Sequence, residues 1–199
     1  MNALIIVDVQ KDFMPGGPLA VPDGDAVVPV INGLLDRFDL VVATQDWHPP
    51  EHRSFASNHA GKRPFDVIEL HGLEQVLWPD HCVQLSAGVD LHPDLDQHRI
   101  EAIIRKGTDP DVDSYSGFYD NGHRKRTGLA GYLRDRGVHR LSLCGLAGDI
   151  CVYYTLMDAL EEGFDATLIE NATRPLHATA FETAKAAILA RGGHVETLL

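Results

Sequence analysis

The chain has 199 residues, 44% hydrophobic and 23% charged, enough for one ordinary globular domain with a sizeable core. Its 29 acidic against 17 basic residues give a formal charge of −12 with no compensating basic run, which argues against nucleic acid and anionic membranes as partners. Three cysteines without paired spacing (Cys82, Cys144, Cys151) and an opening strand pattern in place of a secretory signal point to a reducing cytoplasm. No apolar run approaches the ~20 residues a membrane-spanning helix needs.

Taken in chain order, Ala3 to Val7 is a short, continuously apolar run, as expected of a parallel strand buried on both faces, and Asp8 stands at its C-terminal end. A helical pattern runs from about Asp25 to Phe38, followed by a second buried strand over Leu40 to Thr44 that ends at Gln45-Asp46-Trp47-His48. Residues 45–95 form a long region rich in Pro, His and Gly, with scraps of pattern at Val67 to Leu70 and Leu73 to Leu77. A loop region of that length in a compact domain is usually functional, so it reads as a site-building excursion.

A third strand, Ala102 to Ile104, ends at Arg105-Lys106-Gly107. A helix from about Arg126 to Arg136 leads to a strand at His139 to Cys144, and a helix from about Asp149 to Glu162 leads to a strand at Asp165 to Ile169. A last helix spans about Ala178 to Arg191, before a short strand at His194 to Leu198. Alternating strands and helices imply right-handed crossovers. The fold class is therefore α/β, a three-layer sandwich with a mostly parallel, roughly six-stranded sheet flanked by helices.

Ligands of such sheets bind beyond the carboxyl ends of the strands. Asp8, Asp46, His48, Lys106 and Cys151 all fall there. Cys151 opens a helical pattern after a glycine-bracketed turn, where free backbone N–H groups and the helix dipole favour a thiolate and can hold an oxyanion. Asp8 is a candidate acid/base for this thiol, and Lys106 a cation that keeps Asp8 ionised. Taken singly, Asp8 reads better as a strand-end cap and Lys106 as a surface ion pair; together with Cys151 the catalytic reading is favoured. Cys144 sits inside an apolar run and reads as inert, whereas Cys82 is either a loop ligand or nothing.

Asp46 and His48 point the same way in an extended segment and make a candidate metal pair. Spacing leaves the third ligand open among His52, Ser54, His59, His71 and His81. Phe13, Trp47, Trp78, Tyr115 and Phe118 lie in loops around the site and suit a flat heteroaromatic ligand, although covering the core edge is the default for Trp47 and Phe118. Gly16-Gly17 and Gly145-x-x-Gly148 lack the spacing of a phosphate cradle, so nucleotide binding is discarded.

Six segments in order carry a resemblance that covers nearly the whole chain. They are residues 6–13 (IVDVQKDF), 44–49 (TQDWHP), 78–83 (WPDHCV), 106–107 (KG), 113–118 (DSYSGF) and 145–152 (GLAGDICV). The chain resembles the nicotinamidase branch of the isochorismatase-like cysteine hydrolase family. That resemblance implies an Asp8, Lys106, Cys151 triad and one divalent metal ion, zinc, iron or manganese, held by Asp46, His48 and His81. It also implies a cis Leu146–Ala147 peptide, an oxyanion hole from the backbone N–H groups of Ala147 and Cys151, and pocket walls from Phe13, Trp78 and Tyr115.

The implied activity is hydrolysis of nicotinamide, a small-molecule substrate, to nicotinate and ammonia in NAD salvage. A cysteine hydrolase of another small amide or ureido compound is the nearest alternative. A metal-dependent binding protein without catalysis is more remote, because all three triad residues are retained. The fourth metal-side position stays open among His52, Ser54 and water alone, and a homo-oligomer is compatible with the chain. One departure from the family pattern stands out: Gly148 replaces the usual Thr of the nucleophile turn, and a looser turn is expected there.

Overall fold

The computed structural model describes residues 1–198. In chain order they form β1 (Asn2–Val7), α1 (Val27–Leu34), β2 (Leu40–Asp46), β3 (Val67–Leu70), β4 (Leu73–Val76) and β5 (Ala102–Lys106). There follow α2 (Leu129–Asp135), β6 (Arg140–Gly145), α3 (Cys151–Glu161), β7 (Asp165–Thr173), α4 (Ala178–Ala190) and β8 (His194–Glu196). Six strands make one parallel sheet in the order β5-β2-β1-β6-β7-β8, while β3 and β4 pair as a separate antiparallel hairpin. Among the described residues no helix is long and apolar enough to cross a membrane.

The apolar run of β1 shows why the sheet is covered twice. Leu4 and Ile6 pack into one core with Val27, Ile31 and Leu34 of α1, whereas Ile5 and Val7 pack into a second core with residues of α2, α3 and α4. Successive side chains of a strand leave opposite faces, so a strand flanked by helices on both sides must be apolar throughout. At roughly 25 cal/mol per Å² of apolar surface removed from water, these two layers supply the main drive for folding.

Helix limits differ from the sequence pattern where side chains have other partners. The helix expected from about Arg126 begins at Leu129, because Arg126 pairs across to Tyr119, the Thr127 hydroxyl donates to Gly117 O, and Gly128 takes a left-handed φ of 99°. The helix expected from Asp149 begins at Cys151. Asp149 instead accepts the backbone N–H groups of Leu176 (2.7 Å) and His177 (2.9 Å), tying the nucleophile turn to the loop that follows β7.

The strand order reverses at β1, which runs out to β2 on one side and β6 on the other. That reversal opens a crevice at the carboxyl ends of β1 and β6, the usual ligand position in an open α/β sheet. Register adds a second constraint: Asp46 is directly opposite Lys106 across β2 and β5, and Val7 is opposite Gly145 across β1 and β6. The long region between β2 and β5 folds over this edge, and His48 pairs with Val83 and Phe55 with Trp78 in isolated bridges.

Candidate active site

The ends of β1 and β5 and the start of α3 deliver Asp8, Lys106 and Cys151 to one buried cluster. The Lys106 Nζ lies 2.9 Å from Asp8 Oδ2, 2.5 Å from Asp46 Oδ1 and 3.5 Å from Cys151 Sγ, and donates to Ser114 O at 3.0 Å. Asp8 leaves β1 in a left-handed conformation (φ 49°), which is uncommon for a non-glycine residue and turns its carboxylate into the crevice. The Thr44 hydroxyl donates to Asp8 Oδ1 at 2.6 Å and accepts the Asp8 N–H at 3.2 Å. Oδ2 has no hydrogen-bond donor among the described residues beyond its ion pair with Lys106, so it is the oxygen left to take a proton.

The electrostatics depart from expectation at the thiol. Cys151 is the first residue of α3, as the pattern suggested. Burial, aided by the neighbouring carboxylates of Asp8 and Asp46, nevertheless holds its pKa well above the ordinary thiol value against the pull of Lys106. The resting group is a thiol, and it needs a base. Asp8 suits that role: burial and the Asp46 charge push its pKa up to about 6 against the opposing influence of Lys106 and Thr44. Burial alone would lower the Lys106 pKa, but the two carboxylates outweigh it, so the ammonium stays charged.

Beside this cluster, Asp46, His48 and His81 bring one ligand atom each within 4.8 Å of one another, all three side chains buried. His48 Nδ1 faces Gly107 O at 2.9 Å and His81 Nδ1 faces Pro79 O at 2.7 Å. A carbonyl can only accept, so both imidazoles carry their proton on Nδ1 and offer a free Nε2 lone pair. Both Nε2 atoms face Asp46 Oδ2, at 3.6 and 3.9 Å, while Asp46 Oδ1 is taken by Lys106. Two neutral imidazoles and one carboxylate fit a divalent transition ion with positions open for other ligands. Burial pushes His81 down to about 4; it also pushes His48 down, but there Asp46 outweighs it and the pKa is raised.

His52 and Ser54 are buried next to this trio and bonded to each other, with His52 Nδ1 and Ser54 Oγ 2.7 Å apart. His52 groups with His48 and Asp113 rather than with Asp46 and His81. His59 and His71 lie away from the buried trio: His59 faces Arg53 O and His71 faces Asp111. Cys82 and Cys144 are buried free thiols packed in the core beneath α1.

A pocket of about 400 Å³, mouth included, opens onto both clusters. Phe13, Trp78 and Tyr115 line it together with Asp46, His48, His81, Ala147 and Cys151, and its surface is mostly apolar. Trp47 and Phe118 do not line it: the Arg105 guanidinium covers the Trp47 ring at 3.6 Å, and Phe118 packs on Phe164 in the core. The Leu146–Ala147 peptide is cis, as the resemblance implied. Gly145, with φ 110°, brings β6 so close to β1 that a Cβ there would strike Val7 O.

The nucleophile turn is not loosened by Gly148. A Cβ at that position would lie 2.8 Å from both Phe181 Cε2 and Thr173 Cγ2, so neighbouring side chains fill the space a larger residue would take. The Gly148 N–H also donates to Arg174 O at 2.8 Å.

Four polar residues of the site escaped the sequence reading as individuals. Thr44 holds Asp8, and Gln10 clamps Asp46 by donating to its carbonyl (2.9 Å) and accepting its N–H (2.8 Å). Asp113 lines the pocket, and Gln75 reaches it from the hairpin. Thr44, Gln10 and Asp113 lie inside the quoted motifs, a signal that was available; Gln75 lies in none.

Comparison with known proteins agrees with this geometry. The family model described as "Isochorismatase domain" matches residues 2–198. The nicotinamidase of Escherichia coli K12 is 48% identical over 189 residues, covering 93% of this chain and 88% of its own. Among solved structures, a nicotinamidase/pyrazinamidase of Acinetobacter baumanii superposes with a TM-score of 0.96 at 45% identity, covering 98% of this chain and 95% of that one. The pyrazinamidase of Pyrococcus horikoshii, in complex with zinc, gives a TM-score of 0.82 at 37% identity over 99% of both chains. With a matching family model over nearly its full length and the same fold at high identity, the chain belongs to the isochorismatase-domain family.

Proposed function

We propose that the chain is an amidohydrolase that converts nicotinamide to nicotinate and ammonia through a cysteine thioester, a step of NAD salvage. One observation carries the reading: a thiol from the start of α3, a carboxylate of raised pKa after β1 and a buried ammonium at the end of β5 meet at the floor of an aromatic-walled pocket. Nicotinamidases as similar as that of Escherichia coli support the substrate assignment.

In the proposed reaction Asp8 Oδ2 takes the Cys151 proton as Sγ attacks the carboxamide carbon. The backbone N–H groups of Ala147 and Cys151 hold the resulting oxyanion. Asp8 returns the proton to nitrogen, the C–N bond breaks and ammonia leaves a nicotinoyl thioester. Water then gives a proton to Asp8 and attacks the thioester carbon; the C–S bond breaks, and nicotinate departs as the thiolate recovers the proton. Lys106 holds Asp8 ionised between transfers, and Phe13, Trp78 and Tyr115 clasp the ring. Asp46, His48 and His81 would hold the divalent ion, which when bound supplies a Lewis acid for a ring nitrogen.

Ammonia release from nicotinamide by the purified, metal-loaded protein tests this assignment. The parent releases it and Cys151→Ala does not. Equal turnover by the two proteins would exclude Cys151 as nucleophile, and turnover confined to another amide in a substrate panel would exclude nicotinamide.

A further inference from the structure

The β3–β4 hairpin is a small excursion of the chain with exposed positions at Val67, Glu69 and Glu74, yet one polar side chain in it, Gln75, is only 2% exposed. Its Nε2 donates to Val76 O at 2.7 Å and reaches Asp113 Oδ2 and the Tyr115 hydroxyl, each at 3.3 Å. The same hydroxyl accepts from Trp78 Nε1 at 3.3 Å. One aromatic wall of the pocket, Tyr115, and one of its carboxylates, Asp113, therefore meet at a buried amide that does not itself line the pocket, and a second wall, Trp78, joins them through the Tyr115 hydroxyl. A buried amide without partners costs free energy, so its burial here requires these particular neighbours to stay in place.

We infer that Gln75 is a positioning residue: from the hairpin it fixes Tyr115 and Trp78 at the angle that receives a planar ring, and so sets the pocket's affinity for flat aromatic amides. The inference rests on the function proposed above. Tyr115 is otherwise held by side chains of unlike kind. Its backbone N–H donates to Asn121 Oδ1 at 2.9 Å, and its ring leans on the half-exposed Tyr154 at a centroid distance of 5.5 Å. Trp78 packs in the core cluster with Tyr115 against it, and stands edge-on to Tyr115 and to the exposed Phe65, each at 6.1 Å; the hydroxyl-centred hydrogen bonds add a direction that this packing does not supply. Gln75 lies outside the triad and the metal trio, so its loss acts on ring binding and leaves bond cleavage alone.

The test is Gln75→Met, which keeps length and removes the donor, in the metal-loaded protein. KM for nicotinamide rises about fivefold, the worth of one neutral hydrogen bond, while kcat stays within about twofold. Tyr115→Phe removes the shared acceptor, so adding Gln75→Met to it raises KM little further. A second readout is independent of turnover. In a Trp47→Phe background Trp78 is the sole tryptophan, and its emission becomes more accessible to a soluble quencher when Gln75 is replaced. An unchanged KM, a fall in kcat at constant KM, or additive effects with Tyr115→Phe would overturn the role. If the parent does not hydrolyse nicotinamide, the function reading fails, and unchanged Trp78 quenching then overturns the positioning role separately.

Discussion

At the scale of single residues, the site works by separating the pKa values of two neighbours. Burial holds the Cys151 pKa well above the ordinary thiol value while that of Asp8 is raised to about 6, so in the proposed reaction Asp8 is ionised at neutral pH to act as base and Cys151 carries the proton it gives up. Asp8 has a folded-state pKa above its ordinary 3.8 and is competent only when ionised, so activity is present above about 6 and lost as pH falls through it. A pH profile of kcat/KM should therefore fall about tenfold per unit below that value; a profile flat down to pH 4 would remove Asp8 as the base. The metal trio gives a second pH effect. His48 and His81 bind a metal ion only as neutral imidazoles, and Asp46 raises the His48 pKa, so protons compete with the metal and the affinity for zinc measured by calorimetry should weaken as pH falls. An affinity independent of pH would contradict that ligand assignment. Asp8, Lys106 and Cys151 were legible in the sequence because each closes a strand or opens a helix. The charge state of Cys151 was not, since a helix start is local whereas burial and the approach of Asp46 come from distant segments. Gln75 was illegible for the same reason: its partners Asp113 and Tyr115 lie 38 and 40 residues away.

At the scale of elements, the sheet positions chemistry through register. Asp46 and Lys106 are cross-strand partners, so the ion pair that anchors the ammonium follows from how β2 and β5 align. A slip by one residue would turn every side chain of β5 to the other face and destroy the pair. The strand order was recoverable only as a class, parallel with crossovers, because periodicity identifies buried strands without saying which are neighbours. Helix starts were read two or three residues early where Asp149 and Thr127 bond to loops instead of capping. The nucleophile turn shows how neighbouring elements compensate a substitution. Phe181 from α4 and Thr173 from β7 occupy the space beside Gly148. Restoring the family's threonine with Gly148→Thr should overpack that contact, at a cost of about 1–3 kcal/mol, and lower Tm by about 5 °C. A Tm equal to or above that of the parent, read by calorimetry, would show that Phe181 and Thr173 yield freely.

At the scale of the whole molecule, one sheet edge gathers Asp8, Lys106, Cys151 and the Asp46, His48 and His81 trio; the excursion between β2 and β5 contributes Trp78 to the pocket above them, and Phe13 and Tyr115 come from the segments after β1 and β5. That division explains why the composition excluded so much and the motifs specified so much. An acidic chain without basic runs argues against nucleic acid as a partner, while the strand ends, short and local in sequence, carry the residues proposed to react. What the chain could not disclose from its residues alone is how residues 49–93 fold. Their β3 and β4 pair with each other, and the isolated bridges Gln10–Leu91 and His48–Val83 tie the region to the chain just beyond β1 and β2, contacts that no repeating pattern of residues announces. In the proposed reaction Cys151 forms a covalent acyl-enzyme. The most direct measurement is mass spectrometry of the protein acid-quenched during turnover of nicotinamide, followed by peptide mapping. The account predicts an added mass equal to one nicotinoyl group on the peptide carrying Cys151, absent from Cys151→Ala; turnover with no adduct under any quench, or an adduct on Cys82 or Cys144, would contradict it.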